Sequence, residues 1–288
     1  MKKIRYALEA LFLYLLFAFF KIMPPETASN IGGWLGRTIG PHLAASRKAR
    51  NNIKLALPHA DETEQNRIIK GMWDNLGRVI AEYPHLERIS RDYTTIEGLE
   101  ILDEINAHQL PVVFIGAHIA NWEINSVASL TRLRKPIEIT YRAPNNPWTA
   151  RLLDKARTLD GRITAHPKSR DSGRKILQTL KDGGRIGILI DQKYNEGVEV
   201  EFFDTPAMTN PVFVQLCQKY KCPLIPVRTM REQSCHITLT IYPPLALFNE
   251  TGEALPVEDV IKQAHDSLES WIREKPEQWL WLHRRWKI

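Results

Sequence analysis

His118 follows an apolar run, Pro111-Val-Val-Phe-Ile-Gly116, and Glu123 stands five positions beyond it in His118-Ile-Ala-Asn-Trp-Glu123. A carboxylate on one imidazole nitrogen fixes the tautomer and raises the basicity of the other. Such a histidine can take a proton from a hydroxyl. Five steps of a regular helix turn ~500°, which would leave the two side chains ~140° apart. They can meet only if His118 lies in a strand-to-helix turn and Glu123 in the first helical turn, with Gly116 letting the backbone bend. The same pattern also admits a structural reading: a histidine satisfied at a strand terminus, and an acid favoured by a helix dipole.

Other polar groups end neighbouring apolar runs. Tyr141-Arg142 closes a second run before Ala-Pro-Asn-Asn-Pro147. A guanidinium there suits a phosphate or carboxylate, or pairs with a surface acid. Asp191-Gln192 closes a third run, Arg185-Ile-Gly-Ile-Leu-Ile190, and either orients a substrate or caps the strand. The Phe and Met residues of Phe202–Pro211 suit an apolar channel or ordinary packing. The ending Pro276-Glu-Gln-Trp-Leu-Trp-Leu-His-Arg-Arg-Trp-Lys287 interleaves three tryptophans with basic residues. That mixture suits a membrane interface or single-stranded nucleic acid. No Gly-x-Ser-x-Gly elbow and no phosphate-binding Gly-Lys loop is present. Gly32, Gly33, Gly36 and Gly40 do not match a dinucleotide fingerprint. Cys217, Cys222 and Cys235-His236 lack zinc spacing, so no metal is expected.

These residues need elements to hold them. Residues 26–56 read as helical. Asp61 begins an amphipathic helix with Ile68, Ile69, Met72, Trp73, Leu76, Val79 and Ile80 at helical spacing. Ile96–Leu110 reads as another helix. Strands are expected at 111–116, 136–141, 185–191, 223–231 and 235–243. Helices are expected at 120–131, 147–159, 172–182, 210–220 and 257–274. Alternation of this kind implies an α/β fold with a central, largely parallel sheet flanked by helices. Chemistry in such sheets collects at the carboxyl ends of the strands, where His118, Arg142 and Asp191 all fall.

The chain has 288 residues, 43% hydrophobic and 25% charged, ordinary values for a globular protein. Its mean hydropathy of −0.30 excludes a polytopic membrane protein. Three cysteines are too few for a disulfide scaffold. The net charge of +6 favours anionic partners without choosing among them. The amino terminus opens Met-Lys-Lys-Ile-Arg and runs apolar from Tyr6 to Phe20, interrupted only by Glu9. A cleaved signal peptide and a buried core helix are both compatible with it, but the favoured reading is a membrane anchor over residues 1–24. The run is short for a span, so a shallow or tilted insertion is expected, with residues 25–288 forming the catalytic domain on the cytoplasmic side.

Taken together, the amino-terminal anchor, His118-x4-Glu123, Tyr141-Arg142, Asp191-Gln192 and the Trp-Leu-Trp-Leu-His-Arg-Arg ending resemble the late acyltransferases of lipid A biosynthesis in Gram-negative bacteria, over nearly the whole chain. The resemblance implies a glycerolipid-acyltransferase-like fold. It implies transfer of a lauroyl- or myristoyl-type chain from acyl carrier protein to a hydroxyl of a Kdo-bearing tetra-acylated lipid A precursor, at the inner membrane. His118 would be the base and Glu123 its orienting acid. Arg142, Asn121, Asp191 and Gln192 would bind substrate. Acyl carrier protein, the lipid precursor and membrane phospholipid are the implied partners; nucleic acid and cofactors are not. The alternatives are an acyltransferase acting on another glycolipid, such as a phosphatidylinositol mannoside, and a non-catalytic basic protein of the membrane surface.

Overall fold

The computed structural model describes residues 2–108, 110–132, 137–141, 144–167 and 170–287. The chain begins with helices α1 (Lys2–Lys21), α2 (Pro25–Ile39), α3 (Ala45–Ala56), α4 (Glu62–Glu82) and α5 (Leu86–Asp92). Then come β1 (Thr94–Glu97), α6 (Leu99–His108), β2 (Val112–Gly116), α7 (Ile124–Arg132), β3 (Ile137–Tyr141) and α8 (Pro147–Arg157). These are followed by β4 (Thr164–Pro167), α9 (Arg170–Lys181), β5 (Arg185–Leu189) and the hairpin β6 (Val198–Phe202) and β7 (Thr205–Thr209). The chain ends with α10 (Val212–Tyr220), β8 (Leu224–Gln233), β9 (His236–Ile241), α11 (Val257–Glu274) and a tail without regular structure beyond one helical turn.

Seven strands form one sheet in the order β1-β9-β8-β2-β5-β3-β4. Every pairing is parallel except β8 with β9. The expected α/β architecture is therefore present. All five residues of β2 are buried, as its continuous apolar run requires. Alternate side chains serve opposite faces: Val113 and Ile115 enter one core, Val112 and Phe114 the other.

The helical segments follow from local chemistry. The Asp61 carboxylate accepts the Glu64 N–H and starts α4. Two glycines let α2 lie directly on α4. A Cβ at Gly36 would fall 2.0 Å from the Trp73 carbonyl oxygen, and one at Gly77 would fall 2.1 Å from that of Gly32. The glycine pattern near the amino terminus is thus a helix-packing surface.

Several expectations need correction. The helix over 26–56 is broken at residues 40–44, where Pro41 follows Gly40. Ile96 belongs to β1, and the helix begins after Gly98, whose φ of +77° turns the chain. The helix expected from residue 120 starts at Ile124, because Ala120 has φ +49°. Strand β4 and the β6–β7 hairpin carry too short a pattern to declare themselves.

The carboxy-terminal tail is not a membrane-interface segment. Trp279, Trp281 and Trp286 are each at most 2% exposed. Trp281 donates to the Pro276 carbonyl, and Trp286 donates to that of Phe202. Arg285 is buried too, donating to the Met208 carbonyl and the Thr209 hydroxyl and packing over the Phe202 ring. Nor is any helix among the described residues long and apolar enough to cross a membrane. Instead α1 lies against the protein by one face. Phe17 stacks on Tyr83 and the Phe20 carbonyl meets His85. Ile4, Leu8, Leu11, Phe12, Leu15 and Phe19, at helical spacing, are 46–68% exposed.

His265 anchors the tail. Its Nδ1 donates to the Glu201 carbonyl at 2.7 Å, and its Nε2 accepts from Thr209 and Arg285. Burial, and then the Arg285 charge, push its pKa down to about 3. An unfolded histidine titrates near ~6.5. As pH falls through that value the unfolded chain gains a proton the folded chain refuses, so stability drops until about pH 3. The slope from this group should approach ~1.4 kcal/mol per pH unit. Denaturant titrations at several pH values should show this slope in the wild type and a flatter one in His265→Leu.

Candidate active site

The site begins where β2 and β5 end. These strands pair in parallel with Gly116 opposite Leu189. His118 and Asp191 each lie two residues further on, so the register brings them side by side. His118 Nδ1 lies 2.8 Å from Asp191 Oδ1, and the His118 backbone N–H donates to Asp191 Oδ2 at 2.9 Å. The Trp279 indole donates to the same Oδ2 at 2.8 Å. Burial would raise the Asp191 carboxyl, but the His118 interactions and these donors override it and hold it well below the usual range. The ionised carboxylate therefore accepts a hydrogen bond from His118 Nδ1–H and leaves Nε2 as the basic nitrogen.

Glu123 does not hold the imidazole. It lies on the far side of Trp122, whose ring packs edge-on against His118 at 5.0 Å and whose indole donates to Glu123 Oε1 at 3.1 Å. Arg157 grips Glu123 with two hydrogen bonds of 2.8 Å, and the Tyr83 hydroxyl donates to it at 2.7 Å. Burial pushes the Glu123 carboxyl upward, but Arg157 and these donors bring it below its ordinary value. The Tyr83 hydroxyl is raised, first by burial and then by Glu123. Arg157 is set in turn by Tyr141, over whose ring it stacks at 4.9 Å.

Asn121 was expected to bind substrate, yet it is fully buried. Its amide donates to Glu82, and its carbonyl accepts the Glu123 N–H. It shapes the turn and is absent from the cavity wall. Gln192 does reach the site: its amide nitrogen is 3.3 Å from His118 Nε2 and 3.2 Å from His283 Nε2. Arg142 lies outside the described residues. Tyr83, Arg157 and Trp279 emerge only from the folded chain, since they come from three distant segments with no shared spacing.

His118 opens onto a cavity of about 1050 Å³. Its polar lining includes Glu123, Arg157, Gln192 and His283. Its apolar lining includes Phe114, Ile139, Ile188, Phe213 and Leu216. Pairing of β3 with β5 stops at Ile139 opposite Gly187, and the residues beyond, Thr140, Tyr141, Ile188 and Leu189, line the cavity. A basic imidazole at the head of a hydrocarbon-lined chamber suits proton removal from a lipid hydroxyl.

The family model described as bacterial lipid A biosynthesis acyltransferase matches residues 1–288. The chain belongs to this family. Among curated relatives, the lipid A biosynthesis palmitoleoyltransferase of Escherichia coli (strain K12) is 26% identical over 281 residues, covering 92% of this chain and 86% of the relative. The lipid A biosynthesis lauroyltransferase of the same organism is 24% identical over 283 residues, covering 92% and 87%. Lipid A biosynthesis acyltransferase 2 of Shigella flexneri is 24% identical over 265 residues, covering 88% and 80%. Among the described residues no cluster of three or more His, Cys, Asp or Glu side chains could hold a metal ion.

In this acyltransferase the Glu123–Arg157 pair is a buried ion pair whose removal on one side strands a charge. Arg157→Ala should cost ~3–5 kcal/mol of stability, measured by denaturant unfolding. Arg157→Lys should recover only part of it, because an ammonium cannot reproduce the two-pronged contact. A double replacement, Glu123→Gln with Arg157→Met, should be less damaging than Arg157→Ala alone.

Proposed function

We propose that this acyltransferase moves a fatty acyl chain from acyl carrier protein to a hydroxyl of a Kdo-bearing tetra-acylated lipid A precursor, with His118 as general base. The observation that carries the reading is the His118–Asp191 pair at the head of the apolar cavity. His118 Nε2 takes the proton of the acceptor hydroxyl, and the oxygen attacks the thioester carbonyl. The carbonyl becomes an oxyanion, the C–S bond breaks, and His118 returns the proton to the departing thiol. Asp191 stabilises the imidazolium in between. Glu123, fixed by Arg157, positions Trp122 against the His118 ring. Arg142 and Gln192 meet the polar part of the substrates, and the apolar cavity takes hydrocarbon.

The proposed location is the cytoplasmic face of the inner membrane, with α1 as an in-plane anchor. The exposed stripe of Ile4, Leu8, Leu11, Phe12, Leu15 and Phe19 supports this. A helix of this type lies in the interface and buries its apolar face in lipid, and each large side chain buried contributes ~1.5–3 kcal/mol.

The test uses purified full-length protein, carrier-protein thioesters of graded chain length and the lipid precursor, with products read by mass spectrometry. Wild type should add one acyl chain. His118→Ala and Asp191→Asn should each lower kcat by about 10²–10⁴ without loss of fold. Near-normal turnover in His118→Ala would remove the base assignment. Separately, Leu8→Asp/Leu11→Asp/Leu15→Asp should leave the fold intact and abolish sedimentation with phospholipid vesicles. Continued sedimentation would locate the anchor elsewhere.

A further inference from the structure

The Gln192 amide sits between two imidazoles. Its nitrogen is 3.3 Å from His118 Nε2 and 3.2 Å from His283 Nε2, and the two rings lie 5.0 Å apart. The proton on His118 is already assigned to Nδ1 by the Asp191 carboxylate, so Nε2 presents a lone pair and its neighbour must donate. That fixes which end of the amide faces His118. The second amide hydrogen then points to His283 Nε2, which accepts in its turn. One NH₂ group caps both imidazoles on the wall of the cavity.

Such an arrangement holds only while both Nε2 atoms are unprotonated. The acceptor hydroxyl reaches the single Nε2 lone pair only by displacing the amide hydrogen, and once His118 is protonated there two N–H groups would face each other, so the amide cannot return until the proton leaves. The displaced amide hydrogen is therefore free beside the imidazole when negative charge develops on the thioester oxygen.

We propose that Gln192 is the proton-linked donor to the tetrahedral oxyanion and that His283 is the positioning residue holding its amide the right way round. The inference rests on His118 acting as the base of acyl transfer. As the acceptor oxygen bonds to the thioester carbon, its proton moves to His118 Nε2 and the carbonyl π pair moves onto oxygen. The freed Gln192 N–H donates to that oxyanion. Collapse expels the thiolate, His118 protonates it, and the amide returns to His118. The carboxy-terminal tail thus enters the reaction through His283. Its backbone is fixed by Asn52, whose side-chain amide donates to the His283 carbonyl at 2.6 Å.

Asp191 bonds the His118 ring, the Glu123–Arg157 pair stands behind Trp122, and the cavity His118 lines also carries His283, Lys193, Tyr83, Tyr141, Tyr194, His166 and Arg174. Of these groups only His283 shares the Gln192 contact. Because the Gln192 donor opposes protonation of Nε2, its removal should shift the acid limb of kcat/KM to higher pH.

The experiment compares wild type with Gln192→Ala, His283→Phe and His283→Gln, using lauroyl-acyl carrier protein and the tetra-acylated precursor. Gln192→Ala should lower kcat by about 10²–10³, the usual cost of a lost oxyanion donor. Its acceptor KM should stay within about twofold, and its acid limb should move upward. His283→Phe keeps a ring beside His118 but no acceptor, and should show a smaller kcat loss with the same direction of pH shift. His283→Gln supplies an acceptor oxygen and should restore most of that loss. Independently of turnover, imidazole ¹⁵N spectra of the wild type should show both Nε2 atoms unprotonated at neutral pH, and the His118 Nε2 signal should move in Gln192→Ala. An Nε2–H tautomer of His118, or unchanged kcat and acid limb in folded Gln192→Ala, would overturn the proposal. Wild type that transfers no acyl chain would instead overturn the functional reading, while the spectra would still decide whether the amide caps both rings.

Discussion

The Asp191 carboxylate is the interaction on which the rest of the site depends. It is almost completely buried and ionised, a state that costs several kcal/mol unless donors replace water. Three donors do so: the His118 backbone N–H, the His118 ring and the Trp279 indole. Two of them belong to one residue, so the imidazole is fixed in position and in tautomer together. The third comes from the carboxy-terminal tail, which makes that tail part of the site. Trp279 also bridges to Ile119, and the Leu280 N–H donates to the His118 carbonyl. The segment carrying the base is therefore held from both sides.

A second buried network keeps the turn after His118 from relaxing. Glu82 and Arg231, both nearly inaccessible, form a two-pronged ion pair. Ser29 and Asn121 add donors to the same carboxylate. Asn75 accepts from Arg231 and donates to the Ala120 carbonyl, while Gln278 exchanges two hydrogen bonds with the Arg231 backbone. Helices α2 and α4, strand β8, the turn and the tail are tied through this cluster. Ala120 occupies a left-handed conformation, unfavourable for a residue with a Cβ. It persists because its carbonyl and N–H are both held, the latter by the Gln278 carbonyl. Fully satisfied networks of this kind specify one geometry as well as stabilising it.

The sheet strands and long helices were legible because burial writes itself into composition. Continuous apolar runs mark β2 and β5, and helical spacing marks α4. The rim position of His118 and Asp191 was legible for the same reason, since both follow such runs. Their pairing was not, because it depends on β2 and β5 being neighbours in register, a fact of topology that periodicity does not carry. The nearer acid, Glu123, looked like the partner for want of that information. Arg157 was illegible because its reason for being there is Glu123, in the turn before α7 and 34 residues away in sequence. The tail misled differently. Tryptophan with arginine has the composition of a membrane interface, but Arg285 is held inside by the Met208 carbonyl, Thr209, His265 and the Phe202 ring, which allows the tryptophans to turn inward.

The separation of the two carboxylates bears on how the motif works. Were Glu123 against His118, the imidazolium would face its counter-charge directly and Arg157 would compete for it. Instead Glu123 spends its charge on Arg157, and only the Trp122 indole connects it to His118. The ion pair then acts as a fixed dipole behind an aromatic spacer, while Asp191 alone meets the charge that develops on the ring. Two acids at one site can stay ionised without repelling, because each has its own cation or donor set. The residues of the motif are thereby divided between tuning the base and anchoring the wall against which it packs.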